Sequence, residues 1–361
     1  MLPDFTKMLT DAGLPNMVAA VILFVIGLAL LIKCGDWFVD GASGIAKKFR
    51  VPELLIGATV VSIGTTLPEV MVSATSAVKG HSQIAYGNAI GSIICNTALI
   101  AALTVAIKPS KVERKSFLTP VLFFFAAAAI YLCSAYVDHG FKRPVGIVLL
   151  CVFVVYMCVL VYQAVRATRD QKEVEGNEPQ AEAKAAETAE EDASKKPAKE
   201  PSVVGLLLLI IIGAAGIAVG ADLLVNNGQI IAVGMGVPES VVALTFIALG
   251  TSLPELVTAI TSLAKGHGAL SLGNIVGANL FNIVLVSGLA ITLRPFPLPA
   301  DMKIGGNIAS LVVDVPVSIA VMIILTIPTL IRGKLSRAQG IILLATYAAF
   351  CVYQFAGPSF L

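Results

Sequence analysis

Charge is what this sequence has least of. Of its 361 residues only 13% are Asp, Glu, Lys or Arg, against roughly a quarter in a soluble domain. It holds one Trp, three His and six Cys. So few nitrogen and thiolate ligands argue against a zinc or copper centre. The cysteines, at positions 34, 95, 133, 151, 158 and 351, show no close-spaced metal pattern. They lie in or at the ends of apolar runs and read as small buried hydrophobes. No nucleophile–base pair and no cofactor motif is present, so neither an enzyme nor a nucleic-acid binder is expected.

In place of charge there is hydrocarbon: 57% of the residues are hydrophobic and the mean hydropathy is +0.88. Apolar runs such as Met17–Ile32, Val203–Val219 and Ile341–Phe355 approach the ~20 residues that span a bilayer. The weak alternation of a membrane β-barrel is missing. The expectation is an all-α polytopic membrane protein in a lipid bilayer. Ten spans are read, the first five at about 17–38, 51–78, 83–107, 117–137 and 144–166. The others are at about 202–225, 237–264, 269–293, 305–329 and 336–356. The leader MLPDFTKMLTDAGLPNM lacks a basic n-region, so the first span is read as retained.

The net charge of +2 says little, but the bases are unevenly placed. With the N-terminus outside, the inner loops hold Lys47, Lys48, Arg50, Lys108, Lys111, Arg114, Lys115, Arg166, Arg169, Lys265, Arg332, Lys334 and Arg337. The outer segments hold only Lys7, Lys79, Lys142, Arg143, Arg294 and Lys303. This positive-inside bias places both termini outside the cytoplasm.

One segment does not belong in a membrane. Arg169 to Pro201, rich in Glu, Ala and Lys, reads as a cytoplasmic linker, disordered or intermittently helical. It divides a first half, residues 1–168, from a second, residues 202–361, and the halves repeat. GTTLPEVMVSATSAVKGHSQIAYGNAIGSIICN begins at Gly64 and GTSLPELVTAITSLAKGHGALSLGNIVGANLFN at Gly250. Glu69 and Glu255, Lys79 and Lys265, Asn88 and Asn274, and Asn96 and Asn282 are each 186 positions apart, without a gap. Five spans per half is odd, so the second half enters from the opposite side. The expected build is two inverted five-helix repeats with a substrate site where they meet.

The repeated residues suit a cation. On a helix Thr65 and Glu69 share a face, with Ser62 and Ser73 near it. Pro68 has no N–H for the Gly64 carbonyl and clashes with it, so a kink or break is expected there. The freed carbonyl, the Thr65 hydroxyl and the Glu69 carboxylate are all oxygens. The second half repeats them at Gly250, Thr251, Ser252 and Glu255. Asn88, Ser92 and Asn96 form one polar stripe, matched by Asn274, Ala278 and Asn282, with Gly87, Gly91, Gly273 and Gly277 leaving room for close helix approach. Two acids without a base in their spans, ringed by neutral oxygens, describe a hard-cation cage such as calcium prefers. For Asn88 and Asn274, interhelical bonding and ion contact both remain open. Asp36, Asp40, Glu53, Asp222 and Glu239 are expected at the interface, and His81 and His267 in water. Asp314, mid-span before Pro316, has no counterpart at the same offset; a proton or sodium role and a bond to a neighbouring helix both stay open.

The motifs GTTLPE…GNAIGS…N and GTSLPE…GNIVGA…N resemble those of the cation/calcium exchanger superfamily, and the whole chain is similar to its compact prokaryotic sodium/calcium antiporters. The resemblance implies ten helices in two inverted five-helix repeats, with the first and sixth helices sliding over an eight-helix core. It implies Ca2+ and Na+ as transported ions, no cofactor, and a place in the prokaryotic inner (plasma) membrane. Its metal-binding residues fall on Thr65, Thr66, Glu69, Ser92 and Asn96. In the second half they fall on Ala248 through its carbonyl, Thr251, Ser252, Glu255 and Asn282. One calcium would lie between the glutamates, with sodium around it. Ala278 departs from a serine frequent in the family, and Asn282 from an aspartate found in some relatives. A sodium-driven calcium exporter is therefore expected. The alternatives are a proton-coupled calcium exchanger, whose relatives carry a GN-x-x-E motif instead, and a cation channel, which inverted duplication does not favour. Oligomeric state is not legible.

Overall fold

In lipid the backbone of an apolar run has no water to bond, so it closes its hydrogen bonds internally as helix. The computed structural model describes residues 5–11, 13–80, 82–177, 202–234, 250, 252–299, 303–304 and 306–356. A short α1 (Phe5–Asp11) precedes α2 (Asn16–Phe49), α3 (Glu53–Lys79) and α4, which starts as Ser82–Ile94 and continues to Ile107. Then come α5 (Arg114–Asp138) and α6 (Arg143–Asn177). The second half has α7 (Val203–Gly234), α8 (Leu253–Ala264), α9 (Gly268–Leu293), α10 (Ser310–Arg332) and α11 (Arg337–Ala356). Among the described residues, eight helical stretches, in α2 to α7, α9 and α10, are long and apolar enough to cross a membrane.

Several expected boundaries move. α2 runs to Phe49 and not 38, because its polar last turns are themselves anchored. Lys47 and Lys48 complement the carboxyl-terminal dipole, and Arg50, at φ 52°, returns its N–H to the carbonyls of Ala46 and Lys47. α7 likewise continues to Gly234, and α6 passes 166 to reach Asn177, so the charged segment begins as helix. Residues 178–201 and 235–249, including most of the linker and the start of the expected seventh span, lie outside the described residues. α10 starts at Ser310, not 305, since a small hairpin of Lys303–Ile304 with Asn307–Ile308 precedes it. Of the kink or break expected at Pro68, the break is absent: α-helix runs without interruption from Ser62 to Lys79. The irregularity lies two to three turns earlier, in the π-helical Gly57–Val61.

Packing divides the helices into two bodies. One buried apolar cluster draws on α3, α4, α5, α6, α8, α9, α10 and α11. A second joins α2 to α7 and touches α3 and α9 through Ile56, Val61 and Leu270. Glycine lets α2 and α7 interlock: a Cβ on Gly213 would lie 2.8 Å from both the Phe38 Cβ and the Phe38 backbone nitrogen. On the other partner, a Cβ on Gly41 would meet the Leu206 carbonyl at 2.8 Å. Small residues at a helix contact admit backbones this close. The outer faces, such as Val21, Val25, Val154, Val161, Leu207 and Ile211, are exposed hydrocarbon.

The 186-residue offset recurs in backbone shape. α4 carries a π-helical turn at Cys95–Ala101 before Ala102–Ile107, and α9 one at Asn282–Ser287 before Gly288–Leu293. The loops are also tied reciprocally across the halves. Gly140–Phe141 pairs antiparallel with Phe296–Pro297, while Val112 donates its N–H to the Gly333 carbonyl and Leu335 to that of Ser110.

Candidate functional site

Glu69 projects from the middle of α3 and Glu255 from the first turn of α8, where Pro254 needs no N–H partner. Both are 0% exposed, and the two carboxylates are close enough to repel one another. All four of their oxygens lack a hydrogen-bond partner among the described residues. So do the buried hydroxyls of Thr66 and Ser252 and both side-chain polar atoms of Asn96 and Asn282. Among the described residues, the orphaned polar atoms therefore concentrate on the duplicated motifs.

This arrangement is expensive unless something fills it. A buried polar group without a partner costs about 1–3 kcal/mol, and an unpaired buried charge more. Ion pairs among the described residues lie elsewhere, joining Lys142 to Asp138 and Lys265 to Asp36 and Asp40. The unmatched inventory is oxygen-rich, anionic and dry. It fits a hard cation as cargo.

Neighbouring side chains hold the two acids in place. Asn88 donates to the Glu69 carbonyl at 3.1 Å and to Ser73 Oγ at 2.8 Å. Asn274 donates to Thr258 Oγ1 at 3.0 Å and accepts from Thr65 at 3.2 Å. Thr258 Oγ1 in turn lies 2.9 Å from the Pro254 carbonyl and 3.0 Å from that of Glu255. Of the two roles left open for these asparagines, both are committed to interhelical bonds. Ser62 Oγ lies 2.9 Å from the Asn274 carbonyl, and Gly273 and Gly277 back directly onto Leu54 and Ala58, bringing α9 against α3.

Of the expected residues, Thr65, Thr66, Glu69, Ser92, Asn96, Ser252, Glu255 and Asn282 are all buried, on α3, α4, α8 and α9. Ala248 and Thr251 lie outside the described residues. Sequence reasoning missed the π-turns that carry Asn96 and Asn282; such turns are frequent at functional sites. It also missed Asn279, which donates to Thr97 at 2.7 Å and links α9 to α4. The Asn279–Asn282 spacing, one turn on a single helix, was the available signal. His267 is not in water: its Nδ1 lies 2.7 Å from Glu53 Oε1, half-buried. Asp36 and Asp40 face Lys265; Glu239 and His81 lie outside the described residues.

A family model described as sodium/calcium exchanger protein matches residues 19–162 and again 205–356. The chain belongs to the sodium/calcium exchanger family. The two matched stretches begin 186 positions apart, at the offset of the duplication. An uncharacterized membrane protein of Methanocaldococcus jannaschii is 33% identical over 92% of this chain and 96% of its own length. The sodium/calcium exchanger MaX1 of Methanosarcina acetivorans is 30% identical over 92% of this chain and 98% of its own. A solved structure of the sodium-calcium exchanger NCX_Mj, soaked with 2.5 mM Na+ and 0.1 mM Sr2+, superposes with a TM-score of 0.71. It is 32% identical and covers 92% of this chain and 98% of that one. This exchanger-family member is a multi-pass helical membrane protein, and its family is one of transporters and not of enzymes.

Proposed function

We propose that the protein is a secondary antiporter that exports Ca2+ in exchange for Na+ by alternating access. The observation that carries this reading is the pair Glu69 and Glu255, both fully buried with carboxylates that have no hydrogen-bond partner among the described residues. Thr65, Thr66, Glu69, Ser92, Asn96, the Ala248 carbonyl, Thr251, Ser252, Glu255 and Asn282 are the proposed ligands. Two carboxylates balance one Ca2+ or a set of Na+ ions. Left empty, the cage would hold two bare charges away from water, a penalty of several kcal/mol per ion. A cage in that state does not cross the occluded intermediate, so each ion leaves only when the other replaces it. Exchange follows from that penalty.

The support for alternating access is the division into an α2–α7 body and an eight-helix core, with the offset-matched elements on which an inverted repeat rests. In this reading there are ten spans, α8 completing the seventh together with 237–249 and α11 forming the tenth. Residues 1–168 and 202–361 are the inverted repeats, and 169–201 is a cytoplasmic linker. Both termini face out of the prokaryotic inner membrane, supported by the basic-residue bias. Radiolabelled Ca2+ uptake into proteoliposomes under imposed Na+, K+ and proton gradients tests the proposal. Saturable uptake driven only by an outward Na+ gradient is expected. Uptake driven by protons alone, or without any counter-ion, overturns it.

A further inference from the structure

The loop from α4 to α5 and the loop from α10 to α11 meet as a two-stranded clasp at one end of the core. Val112 donates to the Gly333 carbonyl at 2.9 Å, and Leu335 to the Ser110 carbonyl at 3.0 Å. These bonds flank an antiparallel pair in which Lys111 stands opposite Lys334. A pair framed in this way exchanges no bond itself, and it is the kind in which facing side chains approach most closely. Arg114 ties the same loops together, donating to the Ile331 carbonyl at 2.6 Å.

Like charges directly opposite each other on paired strands are destabilising, and the two loops hold little to offset them. Residues 105–118 and 329–341 include seven bases and one acid, Glu113, whose carboxylate accepts from the Ser116 hydroxyl at 2.9 Å. Lys108, Lys111, Lys115, Arg332, Lys334 and Arg337 are exposed. Their side chains have no hydrogen-bond or ion-pair partner among the described residues. A positive-inside bias accounts for bases on one face, but not for two of them being held face to face by the backbone.

The reciprocal clasp at the other end is built differently. There Phe141 pairs with Phe296, their rings edge to face at 5.5 Å. The bases beside it are engaged within the protein: Lys142 pairs with Asp138, Arg143 donates to the Thr292 carbonyl at 3.0 Å, and Arg294 to that of Val78 at 3.2 Å. At the Lys111–Lys334 end, hydrocarbon adjoins the unpartnered charge. Ile107 precedes Lys108, Ile331 precedes Arg332, and Leu118 lies one turn beyond Lys115, all three exposed. An anion with acyl chains fits such an edge, whereas free phosphate makes no use of the apolar strip.

We propose that the Lys111–Lys334 clasp is a binding site for the phosphate headgroup of an anionic phospholipid, whose acyl chains run along Ile107 and Ile331. The phosphate oxygens accept from both ammonium groups, so the repulsion between the lysines becomes attraction to a shared anion. Basic clusters at a membrane surface draw anionic lipid with a gain of about fivefold in affinity for each Lys or Arg. The bound lipid joins the α4–α5 loop to the α10–α11 loop and so fastens the eight-helix core at this end.

The site depends neither on the exchange reading nor on which way the clasp faces, so binding is measured without transport. Purified full-length protein in neutral detergent is titrated with phosphatidylglycerol, phosphatidylcholine or inorganic phosphate at equal concentration. Native mass spectrometry counts the lipid retained, and thermal unfolding reads the linked stabilisation. Phosphatidylglycerol should be retained in preference to phosphatidylcholine and raise the midpoint, and phosphate should leave the midpoint unchanged. Lys111→Gln and Lys334→Gln should each weaken retention about fivefold. Lys111→Arg should keep it, as should Lys303→Gln at the other end. Lys111→Glu, which sets opposite charges face to face, should raise the lipid-free midpoint and abolish the gain from phosphatidylglycerol. Equal retention of the two lipids, or undiminished phosphatidylglycerol in both glutamine variants, overturns the site. A midpoint raised as much by inorganic phosphate overturns the lipid as its occupant.

Discussion

Lys265 Nζ, at the end of α8, lies 2.8 Å from Asp40 Oδ1 and 3.3 Å from Asp36 Oδ1 on α2. The contact joins the helix that carries Glu255 to the body formed by α2 and α7. At the same offset the other half has Lys79, Asp222 and Asn226, so an exchange of states would break this tie and offer a weaker one at the far end. The groups are partly exposed, and such pairs contribute up to about 1 kcal/mol, or about a fivefold shift in a two-state ratio. Lys265→Met should change the ratio of half-saturating Ca2+ on the two faces by up to about fivefold, and Lys265→Arg should restore it. An unchanged ratio would show that the tie does not bias the states.

The interlock of α2 and α7 predicts which glycines matter. Gly213→Ala pushes a methyl to 2.8 Å from Phe38 Cβ and backbone, an overpacking that costs about 1–3 kcal/mol. Gly205, where the nearest atom to an added Cβ is the Ser202 hydroxyl at 3.3 Å, should accept alanine without loss. Thermal unfolding in detergent should show a lowered midpoint for the first and none for the second. Equal midpoints would mean that the two helices separate freely.

Cage charge predicts ion selectivity. Asn96 and Asn282 are neutral, which leaves Glu69 and Glu255 as the fixed charges of the proposed cage. With no third carboxylate to hold an additional monovalent ion, exchange should proceed without K+. Ala278, fully buried one turn before Asn282, takes the place of Ser92. Ala278→Ser adds an oxygen worth roughly 1 kcal/mol and should lower the half-saturating Na+ while leaving that for Ca2+ nearly unchanged. Initial rates with and without K+ decide both points; a K+ requirement, or an effect of Ala278→Ser confined to Ca2+, would refute the assignment.

Much of this was legible in the sequence because the costly residues recur. Glu69 and Glu255 announce themselves as acids in hydrocarbon, and the shared offset pairs Asn96 with Asn282. What escaped depends on three-dimensional neighbours. The chain passes Pro68 as helix, since a proline in a packed bundle can be accommodated by surrounding groups, and the irregularity at Gly57–Val61 leaves no residue signature. The pairing of Asp36 and Asp40 with Lys265 was not legible because that partner lies more than two hundred positions away. His267 looked solvated for the same reason, with Glu53 as its distant partner.

The account stands on two carboxylates acting as one site. Glu69→Gln and Glu255→Gln each remove one of the charges that neutralise a divalent ion, and a neutral amide costs less to place in a membrane than an acid, so both variants should fold. The most direct measurement is Na+-driven radiolabelled Ca2+ uptake by proteoliposomes of each purified variant beside the wild type. Loss or near loss of uptake in both, with normal yield and unfolding midpoint, is the predicted result. Wild-type uptake in either variant would contradict the site.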